Sequence, residues 1–194
     1  ERFAHEADLS ERMLSRNIVR VLDRDIGPPP ILVLELIDGE VLSTKLARGA
    51  LLRDDAATVV VQICRALSRA HAASVVHRDI KPDNVMLCRE DGRMLVKVLD
   101  FGVAALGLSG AHGARAFDDG LTGTIGYIAP EHALENLPPG PRADLFAVGV
   151  IAFQCLTGKM PYSDASLADY VMGLSQGLPA NGSLFDGSTP ALDA

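Results

Sequence analysis

The sequence predicts an α+β chain in which a few short strands precede a mostly helical lobe. Three segments carry that reading. Ile31 to Ile37 (ILVLELI) is a short apolar run between the prolines Pro28 to Pro30 and the breaker pair Asp38-Gly39, the pattern of a buried strand. From Asp54 or Asp55 to about Ala73, apolar side chains recur at helical spacing. Ala143 to Leu156 (ADLFAVGVIAFQCL) is apolar almost all round, as befits a buried central helix.

The other elements follow in order. Phe3, Ala7, Met13 and Leu14 share a weak helical stripe between Arg2 and Arg16. Asn17 leads into a β-like run, Ile18 to Leu22, and Gly27 with the three prolines makes a turn, because proline denies the backbone its donors. In the first long helix Asp54 or Asp55 is the expected cap, with Ala57, Val60, Val61, Cys64, Leu67 and Ala70 as the apolar face. Val75 to Leu87 (VVHRDIKPDNVML) sets many polar groups between two apolar runs. Asp91-Gly92 is a turn before a strand from Met94 to Leu99. Gly107 to Gly123 is rich in Gly, Ala and Asp and reads as a long mobile loop, a kind that often carries function. Gly158 is expected to end the central helix as a C-cap, and from Gly173 onward no periodicity stands out.

Composition narrows the function. The chain has 194 residues, 48% of them hydrophobic, enough for a sizeable core. A formal net charge of −7 argues against a nucleic-acid surface, which needs clustered Lys and Arg. Cys64, Cys88 and Cys155 lie far apart with no C-x-x-C pair, which suits core thiols in a reducing compartment and not a cysteine-type metal site. No apolar run approaches the roughly 20 residues that span a bilayer, and no signal-peptide pattern opens the chain. The first residue, Glu1, suggests a piece of a longer protein.

Chemistry concentrates in the polar stretch and just after it. Asp79 and Asn84 share a loop, and Asp100 follows a strand, an arrangement that can gather two carboxylates and an amide around a divalent cation. Oxygen donors of this kind suit Mg²⁺ together with phosphate and water. Lys81 points the same way as Asp79 and is placed to neutralise a transferring phosphoryl group.

At these residues the chain resembles the eukaryotic-type protein kinases, in the style of bacterial serine/threonine kinases. HRDIKPDN matches the catalytic loop H-R-D-x-K-x-x-N, and Asp100-Phe101-Gly102 matches the metal motif D-F-G. GTIGYIAPE, from Gly123 to Glu131, matches the end of the activation segment, and Asp144 fits the aspartate opening the family's central helix. RFAHEA is similar to the start of the regulatory helix, NIVRVLD and LVLELIDGEVL to the strands leading into the hinge, and TPALDA to the start of a late helix. The resemblance covers essentially the whole chain.

It implies a protein-kinase-like fold, with residues 1–37 as a truncated small lobe and 38–194 as the large lobe short of its C-terminal helices. It implies transfer of the γ-phosphoryl group of ATP to Ser/Thr hydroxyls of proteins in signalling, autophosphorylation included, with Mg²⁺ as metal and Mn²⁺ as an alternative. Asp79 would orient the acceptor hydroxyl, Lys81 would stabilise the γ-phosphoryl charge, and Asn84 and Asp100 would hold the metal. Leu34 would be the gatekeeper, Glu35, Leu36 and Ile37 the hinge, Met86 the floor beneath the purine and Glu40 a ribose contact. Glu6 would pair with the family's strand lysine. Arg78 would grip a phosphorylated activation loop, Thr124 would help seat the acceptor, and Thr122 and Ser109 are candidate phosphorylation sites.

His77 is expected to be structural, packed on Phe101, while His5, His71, His112 and His132 form no cluster and are expected on the surface. Partners implied are ATP, protein substrates and a second kinase domain docking through the small lobe. The kinase domain is expected in the cytoplasm, with the parent free or membrane-anchored.

The chain also departs from the family. The Gly-rich loop and V-A-I-K lysine are not among these residues, and Glu131 lacks the C-terminal arginine it would pair with. Ser10 stands where a large apolar residue is usual, and Arg16 where a proline is often seen. A non-catalytic pseudokinase scaffold is therefore the alternative reading, and a small-molecule phosphotransferase a further one. Intact Asp79, Asn84 and Asp100 favour the kinase. The 194 residues by themselves are expected to show little or no phosphotransfer; a rate matching a full-length kinase's and abolished by Asp79→Asn would overturn that expectation.

Overall fold

A β-hairpin lying on one long helix frames everything else. The computed structural model describes residues 15–25, 31–101, 125–134, 138 and 140–177. The readings made for the helix of residues 2–14, Glu6, Ser10, His5, Ser109, His112, Thr122, Thr124 and the 107–123 loop lie outside them.

Two antiparallel strands come first, β1 (Val21–Asp25) and β2 (Ile31–Leu34), with an irregularity in register between Val21 and Asp23. The β-like run expected at Ile18 to Leu22 thus starts late: Ile18 makes only a lone parallel bridge to Val98. The strand expected to be buried through Ile37 stops at Leu34, and Ile31 and Val33 remain 54% and 46% exposed. A two-stranded ribbon buries little of either face without a further layer.

The second sheet is antiparallel, in the order β3 (Gly39–Val41), β4 (Val85–Glu90), β5 (Arg93–Val98). The hairpin turn is at Asp91-Gly92 as expected. Both residues have positive φ, 51° and 75°, which two-residue hairpin loops of this twist require. Register runs from Glu90↔Arg93 at the turn to Val85↔Val98 at the far end. Val85, Leu87, Val96 and Val98 turn inward to the core.

After a short helix α1 (Leu42–Leu46), the predicted long helix appears as α2 (Arg53–Ala72). Leu52 occupies the cap position without a side-chain bond; Asp54 and Asp55 lie in the first turn, where their charge faces the positive end of the helix. The buried face is Ala56, Val59, Gln62, Ile63, Ala66, Leu67 and Ala70, whereas Ala57 and Val61 are exposed. The expected stripe was rotated because it passed over Gln62 as polar.

α2 packs against α4 (Pro141–Thr157) through Ala147, Val148, Ile151 and Cys155. α4 is not buried all round: Leu145 and Leu156 are 53% and 46% exposed, since one helix face suffices for a single partner layer. Cys155 is fully buried, Cys64 packs at the core margin, and the Cys88 thiol donates to the Leu95 carbonyl at 3.2 Å. The helices α1, α3 (Pro130–Ala133) and α5 (Leu167–Ser175) went unread. α5 carries a legible start signal, since Ser166 Oγ accepts the Asp169 amide and donates to the Asp169 carboxylate. Its buried Tyr170 donates to the Ile128 carbonyl at 2.6 Å. No helix among the described residues is long and apolar enough to cross a membrane.

Gly158 closes α4 in the left-handed conformation, φ 69°, with its amide donating to the Gln154 carbonyl at 2.8 Å. A Cβ there would sit 3.1 Å from the Ala50 nitrogen. Gly158→Ala should therefore lower stability by about 1–2 kcal/mol. In urea unfolding the midpoint should fall at an unchanged slope.

Candidate active site

The loop after α2 is pinned from beneath. Val75 and Ile80 bury themselves in the core on either side of His77, Arg78 and Asp79. Asp144, 1% exposed near the start of α4, accepts the His77 amide at 2.9 Å on one oxygen and the Arg78 amide at 2.9 Å on the other. His71, in the last turn of α2, adds a third donor, Nε2, at 2.8 Å. The expectation of a surface His71 is corrected here: its side chain is only 18% exposed, because it spans the gap between α2 and the buried carboxylate. The bond to its amide helps hold Arg78 at φ 69°, a conformation most side chains avoid, while its guanidinium stays exposed.

His77 is 3% exposed, and both ring nitrogens are engaged. Nε2 faces the Leu99 carbonyl at 2.7 Å, and Nδ1 receives the Asp79 amide at 3.3 Å. A carbonyl can only accept, so Nε2 carries the hydrogen and the imidazole is neutral. Burial pushes its pKa below the ordinary 6.5, against the opposing pull of the Leu99 carbonyl and of Asp144, Asp79 and Asp100. The ring meets Phe101 edge-on, centroids 4.6 Å apart. His77 is thus a neutral spacer with no nitrogen left for proton transfer.

The structure brings Asp79, Lys81 and Asn84 into contact. Lys81 Nζ lies 2.8 Å from Asp79 Oδ2, and Asn84 Nδ2 donates to the same oxygen at 3.0 Å and to the Asp79 carbonyl at 2.8 Å. Pro82 starts the one-turn 3₁₀ segment Pro82–Asn84, where its missing N–H costs nothing. Asn84 is 7% exposed and Asp100, at φ 63°, is exposed. The two flank the same end of the β4–β5 hairpin, where the Leu99 amide donates to the Asn84 carbonyl at 2.9 Å.

This donor set fits Mg²⁺. Asn84 commits its amide nitrogen to Asp79, which leaves its amide oxygen, and Asp100 offers a carboxylate, both hard oxygens. Among the described residues there is no cluster of three or more His, Cys, Asp or Glu able to hold a metal by itself. An ion held by these two donors would complete its shell with phosphate and water, as Mg²⁺ prefers.

The residues expected to form the hinge lie between the two sheets in sequence. Leu34 is 37% exposed, Leu36 98% exposed, and Ile37 half-buried. The Glu35 side chain turns aside: Oε1 accepts Lys97 Nζ at 2.6 Å and the Arg20 amide at 2.9 Å. Burial pushes its carboxyl up, but Lys97 and Arg20 outweigh it and hold the pKa below the ordinary 4.5. The Glu35 amide is also taken, by the Arg20 carbonyl at 3.0 Å. Half-buried Met86 sits on β4 opposite Val41 and Lys97. The Glu40 carboxylate is engaged by Arg48. In the described part of the activation-segment motif, the Tyr127 hydroxyl donates to Gln154 of α4 at 2.7 Å, and burial drives its pKa up.

Lys97, Arg48 and Gln62 were not singled out from the sequence, and Asn17 and His71 were named there without their polar partners. Lys97 could have been: a lysine amid the apolar run Leu95 to Leu99 needs a partner. Removing the Asp144 carboxylate strands the buried His77 amide and the part-buried Arg78 amide, so Asp144→Ala should destabilise by about 2–5 kcal/mol, measurable by chemical denaturation.

The sequence has relatives among known proteins. The sequence profile described as protein kinase domain matches residues 1–180. The serine/threonine-protein kinase Pkn1 of Myxococcus xanthus is 45% identical over 174 residues, 87% of this chain and 24% of that protein. The probable serine/threonine-protein kinase PknB of Corynebacterium glutamicum is 33% identical over 86% of this chain and 26% of its own length. The serine/threonine-protein kinase PknL of Mycobacterium tuberculosis is 32% identical over 99% of this chain and 47% of its own. The chain thus spans about a quarter of the first two relatives and under half of the third. With the profile covering nearly all of its length, the chain belongs to the protein kinase domain family.

Proposed function

We propose that the protein bearing this domain transfers the γ-phosphoryl group of ATP to Ser and Thr hydroxyls of protein substrates, its own loop included. One observation carries the reading: the Asp79 carboxylate is held at 2.8 Å by Lys81 and at 3.0 Å by Asn84, on a loop clamped by Asp144. The names of the bacterial relatives, all serine/threonine-protein kinases, support the acceptor class.

Asp79, half exposed, accepts the hydrogen of the acceptor hydroxyl and aims its oxygen in line with the γ-phosphorus. Lys81 shifts its cation from Asp79 to the γ-phosphoryl oxygens as charge develops there. Asn84 and Asp100 would hold Mg²⁺, which would supply positive charge to offset that of the phosphates. Because Glu35 commits its side chain and amide elsewhere, it offers adenine only its carbonyl, and Ile37 supplies the remaining hinge backbone groups. Leu34 and Met86 wall the purine. Glu40 reaches ribose only by sharing its carboxylate with Arg48. Arg78, with its side chain exposed on the catalytic loop, is free to grip a phosphate placed at Thr122 or Ser109, and Thr124 seats the acceptor.

The test is phosphotransfer from γ-labelled ATP by the full-length protein, followed by identification of the phosphorylated residue. Asp79→Asn should lower kcat by about 10²–10⁴-fold with KM for ATP little changed, and chelation of divalent metal should abolish transfer. Tight ATP binding with no transfer by the wild type would turn the assignment to a scaffold.

A further inference from the structure

β5 is the outer strand of its sheet, and an outer strand leaves a row of backbone groups without partners. Here two carboxamides take the place of the missing strand. Gln62, from α2, donates Nε2 to the Met94 carbonyl at 3.0 Å and accepts the Val96 amide on Oε1 at 2.9 Å. Asn17 donates Nδ2 to the Val96 carbonyl at 2.8 Å and to Gln62 Oε1 at 2.7 Å. The backbone continues the pattern: the Val98 amide donates to the Asn17 carbonyl at 2.8 Å, and the Val19 amide to the Val98 carbonyl at 3.0 Å. Asn17 and Gln62 are 3% and 9% exposed. Burying two amides so deeply is tolerable only when their bonds are all made, so the pair tolerates few alternative positions of β5.

What β5 holds at its end gives this stitch its consequence. The last register pair of the hairpin is Val85↔Val98. One residue beyond, the Leu99 amide donates to the Asn84 carbonyl, and Asp100 follows. A strand that slips by one residue turns each of its side chains to the opposite face. We propose that Gln62 is a positioning residue for Asn84 and Asp100: with Asn17 it fixes the placement of β5, and through the Leu99–Asn84 bond it fixes the separation of the two oxygen donors. The same stitch couples the segment 15–19 to the catalytic end of the hairpin. The assignment rests on the reading of Asn84 and Asp100 as metal holders, and its test separates the two.

The full-length protein is compared with its Gln62→Leu and Asn17→Ala variants by amide hydrogen exchange and by turnover against Mg²⁺ concentration. In both variants the Leu99 amide should exchange about tenfold faster or more, while Ala66 to Ala70 in α2 keep their protection. Turnover should fall about tenfold, with a higher Mg²⁺ requirement and KM for ATP at saturating Mg²⁺ held within about twofold. Faster exchange confined to Val96, with Leu99 still protected, would overturn the proposal, as would loss of protection throughout α2. If Gln62→Leu does not fold, the Leu99 amide of Asn17→Ala decides by the same criterion. A wild type without phosphotransfer, but with Leu99 responding to both substitutions, would retire the enzymatic reading and leave the positioning role standing.

Discussion

The buried carboxylate of Asp144 is the constraint on which the candidate site depends. Its two oxygens take the successive amides of His77 and Arg78 together with a ring nitrogen of His71, so one side chain of α4 joins the end of α2 to the catalytic loop. A carboxyl group at that depth is tolerable only with such donors around it. The donors are in turn fixed by it: Arg78 is held in a left-handed backbone conformation, and Asp79 follows directly. The loop is rigid because helix packing and charge solvation are satisfied by the same geometry.

The hairpin is the second fixed part, and it meets the loop through His77. Neutral and wedged between the Leu99 carbonyl and the Asp79 amide, the imidazole measures the gap between the two strands of chain that carry the polar site residues. Phe101 closes the same contact from the far side. The proposed site residues Asp79, Asn84 and Asp100 are thereby placed by groups committed to structural contacts of their own. On the other face of the sheet, the Glu35–Lys97 pair ties the proposed hinge to β5, so both ends of a nucleotide site would share one strand as their reference.

Motif and fold class were legible in the sequence, and side-chain burial was less so. HRDIKPDN and DFG could be read because the residues lie close along the chain and their spacing carries the geometry. The long helix was legible from its period, but its inward face was not: Gln62 looks like a surface residue until the unpaired edge of β5 is seen to need it. Likewise His71 reads as an isolated surface histidine, since its partner Asp144 is far away in sequence. Ile31 and Val33 failed for the opposite reason: apolar composition gives a tendency to be buried, and only a further layer can realise it. Short helices such as α1 and α3 have too few turns to show a period at all.

The three thiols described in the fold share a property that matters at the bench. Burial pushes the Cys155 thiol up to about 11, and the Cys64 and Cys88 thiols also lie above their ordinary 9.0. Only the thiolate attacks an alkylating reagent, so at neutral pH each is almost wholly in its unreactive form while the chain is folded. Cys155 is in addition enclosed on all sides, with no exposed surface. Its modification must wait for α4 to lift from α2, which makes the rate of Cys155 labelling a clock for opening of the helical core, one that runs without denaturant and without any inserted probe.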